Sequence, residues 1–235
     1  MPGLRLSRST AAFEIDQRAD GTHELRVPHE RGSIVVRPTA PGESLLPVYR
    51  LNYDIFVNER GMVAAEALPA EMQRTQAKWD RWDEQPTTHH FVAEHEGRVI
   101  GHMRVIDDSA AGLPTEAFGF DLGEHREAQP LREISKLMIA KGYRGGGIMA
   151  AFYWHVFQTC HVQDGIPAVY LSCERALAAL YGRIGAVELG QFVHRETRSM
   201  FAAMRVAFCG DYERQFELGA RALRAGARAA IPSAA

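Results

Sequence analysis

Residues 131–161 constrain this chain more than any other stretch. LREISKLMIA (131–140) has strand composition, KGYRGGG (141–147) is a glycine turn, and IMAAFYWHVFQTCH (148–161) is a helix that is apolar almost all round. Such a helix has to be buried, and the strand before it supplies the sheet to bury it on. Interrupted by His155, it is too short to span a bilayer. The segment therefore demands a mixed α/β domain. Glycines between a strand and a helix also let backbone N–H groups approach an anion, with the helix dipole helping. Arg144 adds a planar fork that pairs well with phosphate. No Lys-Ser/Thr follows the glycines and the spacing G-x-G-x-x-G is absent, so neither nucleotide hydrolysis nor nicotinamide binding is supported.

The flanking chain fits around this unit. Short strands are expected at 12–15 and 24–27, and a clearer one at 33–37, ended by Pro38. Helical spacing of Leu46, Val48, Leu51, Ile55 and Phe56 predicts a helix over 43–59, and a second is expected over 67–79. Strands at 87–94 and 99–106 flank His95-Glu96-Gly97-Arg98, a hairpin signal. Residues 107–130 read as a long loop with one helical turn, and long irregular segments within compact domains are often functional. A buried strand at 167–173, a helix at 174–184, strands at 186–194 and 198–208 and a final helix at 211–230 complete the order. The expected organisation is an N-terminal extension (1–30), one α/β domain (31–210) and a C-terminal helix and tail (211–235).

Composition excludes several classes. A chain of 235 residues with 46% hydrophobic and 24% charged residues is neither disordered nor fibrous. Twenty-seven basic against twenty-nine acidic residues leave a net charge of −2, without the cationic field that drives nucleic-acid binding. Cys160, Cys173 and Cys209 are too scattered for a zinc site or a disulfide framework. They read as small buried hydrophobes, and with no secretory h-region at the N-terminus the expected location is the cytoplasm. His89 and His90 on one strand point to opposite faces and cannot share a metal; no metal site is expected.

Arg144 to Gly147 after a strand resembles the acyl-donor loop, Q/R-x-x-G-x-G/A, of the Gcn5-related N-acetyltransferase (GNAT) superfamily. Val35-Val36-Arg37-Pro38 is similar to its first strand and 167–173 to its fifth. Leu180-Tyr181 followed by Gly185 is similar to its L-Y-x-x-x-G helix. The implied fold is a mixed sheet splayed between its fourth and fifth strands, with helices on both faces. The donor loop would be Leu137, Met138, Ile139, Arg144, Gly145, Gly146 and Gly147. Met149 stands where the superfamily has a small residue, which suits an acyl-phosphopantetheine arm on acyl carrier protein better than the diphosphate of coenzyme A.

A second series resembles the acyl-homoserine-lactone synthases and their relatives, the N-acyl amino acid synthases. It runs Arg50 to Phe56, Asp80-Arg81-Trp82-Asp83, Arg104 and Glu133-Ile134-Ser135-Lys136, against R-x(5)-F, D-x-F-D, a strand arginine and E-x-S-R. Trp82 and Lys136 depart from that pattern. Gly61-Met62-Val63 stands where the lactone synthases carry a tryptophan that helps hold S-adenosylmethionine, which favours the amino acid synthase branch.

The resemblance implies transfer of a long-chain acyl group from acyl carrier protein to the α-amine of an amino acid, with no permanently bound cofactor. Such a transfer needs a base for the amine, and Glu133 is the candidate. Tyr181 is the candidate to protonate the leaving thiolate, and backbone N–H groups of 137–139 to hold the oxyanion. Arg50, Phe56, Asp80, Trp82, Asp83, Arg104 and Ser135 are implied at the acceptor site. Asp80, Asp83 and Arg104 read equally as an ion-pair network, and Phe56 and Trp82 as core or pocket wall. Met103, Met138, Ile139, Met149, Phe152 and Phe157 are candidates for an acyl tunnel or for core. Three other readings stay open: a lactone synthase using S-adenosylmethionine, an acetyl-coenzyme A acetyltransferase, and a module that binds acyl carrier protein without catalysis.

Overall fold

The structure, a computed structural model, describes residues 13–17, 21–127, 130–144 and 146–208. The expected helix at 211–230, Cys209 and Gly145 lie outside the described residues. Nine strands form one sheet in the order β1-β2-β3-β4-β5-β6-β7-β9-β8. They are β1 (Glu14–Gln17), β2 (His23–His29), β3 (Gly32–Pro38), β4 (Thr88–His95), β5 (Arg98–Asp107), β6 (Arg132–Ile139), β7 (Ala168–Glu174), β8 (Ala186–Val193) and β9 (Met200–Ala207). The β4–β5 hairpin turns on Glu96 and Gly97, with φ of 50° and 75°. Positive φ at both positions matches the right-handed twist of the strands.

Among the described residues five α-helices sit between strands. They are α1 (Leu46–Tyr53), α2 (Ala70–Thr75), α3 (Pro114–Ala117), α4 (Gly146–Val156) and α5 (Ala178–Gly182). α1 and α4 run on as π-helical turns over Asp54–Glu59 and Phe157–Gln163. α2 is shorter than the 67–79 expected, because Gln76 adopts a left-handed conformation with φ of 48° and closes it. The 107–130 loop holds α3 and a 3₁₀ turn at Gly123–Glu127. Arg126 clasps the loop by pairing with Asp108 and Glu116.

α4 packs on β2, β3, β4 and β5. Phe152 is fully buried there among Phe91, Met103, Val105 and Ile134. Gly101 makes room for it, since a Cβ at that position would meet the Ala93 Cβ at 3.0 Å and Phe152 Cε2 at 3.3 Å. The segment expected as an extension adds β1 and β2 to this sheet, pairing β1 to β2 and β2 to β3. It also packs on α4, where Phe13 and His23 meet the Trp154 ring edge-on. Met103 and Phe152 are therefore core, and Phe157 packs against that core. None of the three lines the cavity described below, so of the two readings, tunnel or core, the core one fits them: Met103 lies on the α4 side of β5, Phe152 faces the sheet from α4, and Phe157 follows in the next turn.

Two irregularities position the site. β6 and β7 run parallel but pair only at Glu133 with Tyr170 and Ile134 with Leu171; beyond them the sheet splays. In β6, Arg104 faces Ser135 while His102 faces Met138, so Met103 opposes both Lys136 and Leu137. This is a β-bulge, with Lys136 at φ of 50°. An extra residue shifts the alternation of side chains, so Ser135 and Lys136 both turn away from α4 while Leu137 and Ile139 pack toward it. Among the described residues no helix is long and apolar enough to cross a membrane.

Candidate active site

A cavity of about 1190 Å³ opens where β6 and β7 part. Its walls come from β6, the end of β7, α5, the 55–72 segment after α1, and Phe118, His194 and Phe201 from the far side. Ile55, Phe56, Met62, Val63, Leu68 and Met72 make one wall apolar.

The charged floor is set by Arg104, only 1% exposed. Its Nη1 donates to Asp80 at 2.6 Å and to Asp83 at 2.5 Å, its Nη2 to Asp80 at 3.0 Å, and its Nε to the Ser135 hydroxyl at 2.8 Å. Lys136 Nζ lies 2.5 Å from Asp83 and 2.9 Å from Asp80. Two cations and two carboxylates thus cancel, as burial requires. Burial opposes the charge on Asp80, yet Lys136 and Arg104 hold its carboxyl well below the usual range. The Asp80-Arg81-Trp82-Asp83 turn locks itself: the Asp80 N–H donates to Asp83 and the Trp82 N–H to Asp80. Beneath it the His90 Nε2–H donates to the Asp83 carbonyl, and its Nδ1 lies 3.1 Å from His102 Nε2. Burial pushes both imidazoles below their ordinary value.

Glu133 stands on the same wall, fully buried and outside the ion-pair cluster. Its carboxylate accepts from the Thr115 N–H at 3.0 and 3.2 Å and from the Thr115 hydroxyl at 2.9 Å. Burial pushes its carboxyl up to about 7, against the pull of Thr115. A carboxyl poised near neutral pH on a cavity wall is suited to accept a proton from an amine.

At the other end Tyr181 lines the cavity beside Cys173. Burial raises the Tyr181 hydroxyl well above its ordinary value, so it keeps its proton. Cys173 is pushed up to about 11, first by burial and then by Glu188 and Glu174. It is thus a thiol rather than a nucleophilic thiolate at neutral pH.

The structure brings Glu133, Ser135, Leu137, Met138, Ile139, Arg144, Tyr181, Phe56, Asp80 and Arg104 onto this one cavity. Asp83 lies just behind its wall. Two expected residues differ. Arg50 is on the exposed side of α1, away from the cavity, because Leu51 and Asn52 occupy the buried side. Trp82 is 4% exposed in a cluster with Ile106, Leu113 and Leu131, and its Nε1–H donates to the Gly112 carbonyl at 3.0 Å. It is an anchor for the 107–130 loop and does not reach the cavity. Arg144 does line the cavity, with its guanidinium 2.6 Å from Glu59 and donating to the Ile139 carbonyl at the end of β6. Gly146 and Gly147 form the first turn of α4.

Several residues on or behind the cavity wall carried no sequence signal. Thr115 sits in the loop read as irregular, and only the tertiary fold brings it to Glu133 from 18 residues away. His194 and Phe201 flank the β8–β9 turn, and Lys78 follows α2 without any motif.

The sequence model of one protein family, described as N-acyl amino acid synthase FeeM, matches residues 47–206. No curated protein matches the chain. Solved structures with a similar fold include FeeM, an N-acyl amino acid synthase from uncultured soil microbes. It is 18% identical over 77% of this chain and 94% of its own, with a TM-score of 0.55. The acyl-homoserine-lactone synthase LasI is 14% identical over 78% and 94%, with a TM-score of 0.58. BjaI, a coenzyme A-dependent acyl-homoserine-lactone synthase solved with S-adenosylmethionine and isopentyl-coenzyme A, is 18% identical over 73% and 79%, with a TM-score of 0.56.

Proposed function

The chain belongs to the family of the N-acyl amino acid synthase FeeM and is an N-acyltransferase of the acyl amino acid or lactone synthase type. From that premise we propose that it moves a long-chain acyl group from acyl carrier protein to the α-amine of an amino acid. The observation that carries this reading is a single cavity joining an apolar wall, fit for an acyl chain, to Glu133 and a self-neutralised floor of charges.

In the proposed reaction Glu133 takes a proton as the acceptor amine attacks the thioester carbonyl. The new C–N bond forms, and those backbone N–H groups of 137–139 that face the β7 side, where pairing with β7 has ended, receive the oxyanion. Collapse of the intermediate breaks the C–S bond. Tyr181 supplies the proton that converts the departing thiolate to a thiol and is reprotonated from solvent, to which Glu133 releases the proton it took from the amine. Ser135 and the ion-pair cluster orient the floor without gaining or losing charge.

Two features support a donor carrying one phosphate. Arg144 is already paired with Glu59, and Met149 fills the place of a small residue beside the donor loop. Both narrow the space and charge available to a diphosphate.

The test is mass spectrometry of the protein with long-chain acyl carrier protein, mixed amino acids and S-adenosylmethionine. An N-acyl amino acid is the expected product. Methylthioadenosine with a lactone would instead identify a lactone synthase. Undischarged acyl carrier protein alongside turnover of acetyl-coenzyme A would overturn the donor, and discharge of neither would leave a binding module.

A further inference from the structure

Six Lys and Arg side chains line the cavity: Arg60, Lys78, Arg104, Lys136, Arg144 and Arg183. Four are already committed. Arg60 pairs with Glu174, Arg144 with Glu59, and Arg104 and Lys136 with Asp80 and Asp83. Arg183 is exposed at the rim. Lys78 is half-buried, and no carboxylate among the described residues lies within ion-pair distance of it. Its ammonium sits over the face of Phe56, with Nζ 5.4 Å from the ring centroid. That contact orients an ammonium without using up its N–H donors.

The position of Lys78 is also built. Its N–H donates to the Tyr49 carbonyl at 2.8 Å, and its carbonyl accepts from Asn52 Nδ2 at 3.1 Å. Asn52 is fully buried in α1, an unusual place for a carboxamide, and Ala77 beside Lys78 is fully buried too. Tyr49 and Trp79 stack on the other side, with centroids 5.6 Å apart. Lys78, Trp79 and Asp80 form consecutive parts of the wall, so the cation stands next to the charged floor. Its field reaches across to His194, which burial and then Lys78 push down to about 4.

We propose that Lys78 receives the α-carboxylate of the acceptor and so makes this enzyme require an α-aminocarboxylate rather than a simple amine. This rests on the acceptor reading above. An α-amino acid carries amine and carboxylate one carbon apart, so both must bind at one end of the cavity, with the amine directed to Glu133. A free amino acid and S-adenosylmethionine share this group, and the test keeps them apart. The floor offers no second unpaired cation for the carboxylate among the described residues, because Arg104 and Lys136 are neutralised.

The experiment measures steady-state acylation of L-amino acids, their carboxamides and S-adenosylmethionine by the full chain and by Lys78→Met and Lys78→Arg. Loss of a charge-assisted hydrogen bond predicts that Lys78→Met raises the amino acid KM about 10- to 100-fold. The donor KM and the thermal midpoint stay unchanged. The wild-type preference for amino acid over carboxamide falls toward one in Lys78→Met and survives in Lys78→Arg. An unchanged amino acid KM, or a rise in the donor KM instead, overturns the assignment. So does equal use of amino acid and carboxamide by the wild type, which needs no variant at all. Turnover of S-adenosylmethionine alone, with the same Lys78 dependence, keeps the carboxylate site and overturns the free amino acid. Failure of the wild type to acylate either overturns the acceptor reading itself.

Discussion

On one face of β4, β5 and β6, Phe91, Met103, Val105 and Ile134 pack beneath α4. On the other, His90, Arg104, Glu133, Ser135 and Lys136 line or underlie the cavity. The same strands supply both faces, because successive side chains alternate. The α4 face needs only apolar volume that fits. The cavity face holds buried charge, which is tolerable only where each group finds a partner at hydrogen-bond distance. The first tolerates change in proportion to the volume removed, whereas the second fails when one partner is lost.

Glu133 provides the largest break in that comparison. Glu133→Gln, nearly isosteric, is expected to lower kcat by about 10²- to 10⁴-fold, read in the acyl carrier protein assay. The rate in the wild type should rise with pH through about 7. The sign for stability is opposite. The folded carboxyl titrates above its ordinary 4.5, so its contribution is full below that value and is lost as pH rises through 7. Glu133→Gln should therefore unfold no earlier than wild type at pH 8, and a large drop in Tm there would contradict this account.

Asp83→Ala and Phe152→Ala set the two faces against each other. Both should cost about 3–5 kcal/mol in denaturant unfolding, the first by leaving Arg104 and Lys136 with uncompensated charge, the second by opening a cavity. The comparison sharpens with salt and with activity. Only Asp83→Ala should also disturb the acceptor KM, since Phe152 is remote from the cavity wall.

Acid tests the buried imidazoles on both faces. His155, on the face of α4 that meets Val36 and Phe91, is pushed down to about 4 by burial, as is His194 on the cavity side. A neutral buried imidazole stabilises the fold fully above its ordinary 6.5, and the contribution is lost as pH falls from there toward 4. Unfolding free energy should decline over that window by roughly 2–3 kcal/mol from His155 alone. His155→Phe should flatten the slope. The smallest effect is expected from Tyr181→Phe, about a tenfold fall in kcat, with the amino acid KM unaltered.

Much of this organisation was open to a reader of the sequence. Strand composition bounded by turn residues marked β3 to β9 and the short β1 and β2, and Glu96-Gly97 marked the hairpin. The strand, glycine turn and apolar helix of 131–161 required a sheet with α4 on one face. Residues with family spacing drew attention to Glu133, Asp80, Arg104 and Tyr181, all of which face one cavity in the structure. Trp82 and Arg50 belong to the same spacing and do not face it. A spacing records which residues occur together, and it does not say which side of a turn each side chain takes.

The sequence by itself determined the local and periodic features, because propensity, alternation and turn chemistry act over a few residues. Tertiary structure alone decided the rest. β1 and β2 joined the sheet by pairing outward from β3, with Phe13 and His23 meeting Trp154 of α4 from far along the chain. Lys136 became a partner of Asp83 through a bulge that pairing with β5 imposes. Thr115 met Glu133, and Lys78 turned to Phe56, through contacts between segments far apart in the chain. Charge neutralisation, desolvation and cavity shape are sums over such distant segments, and no short window of sequence contains them.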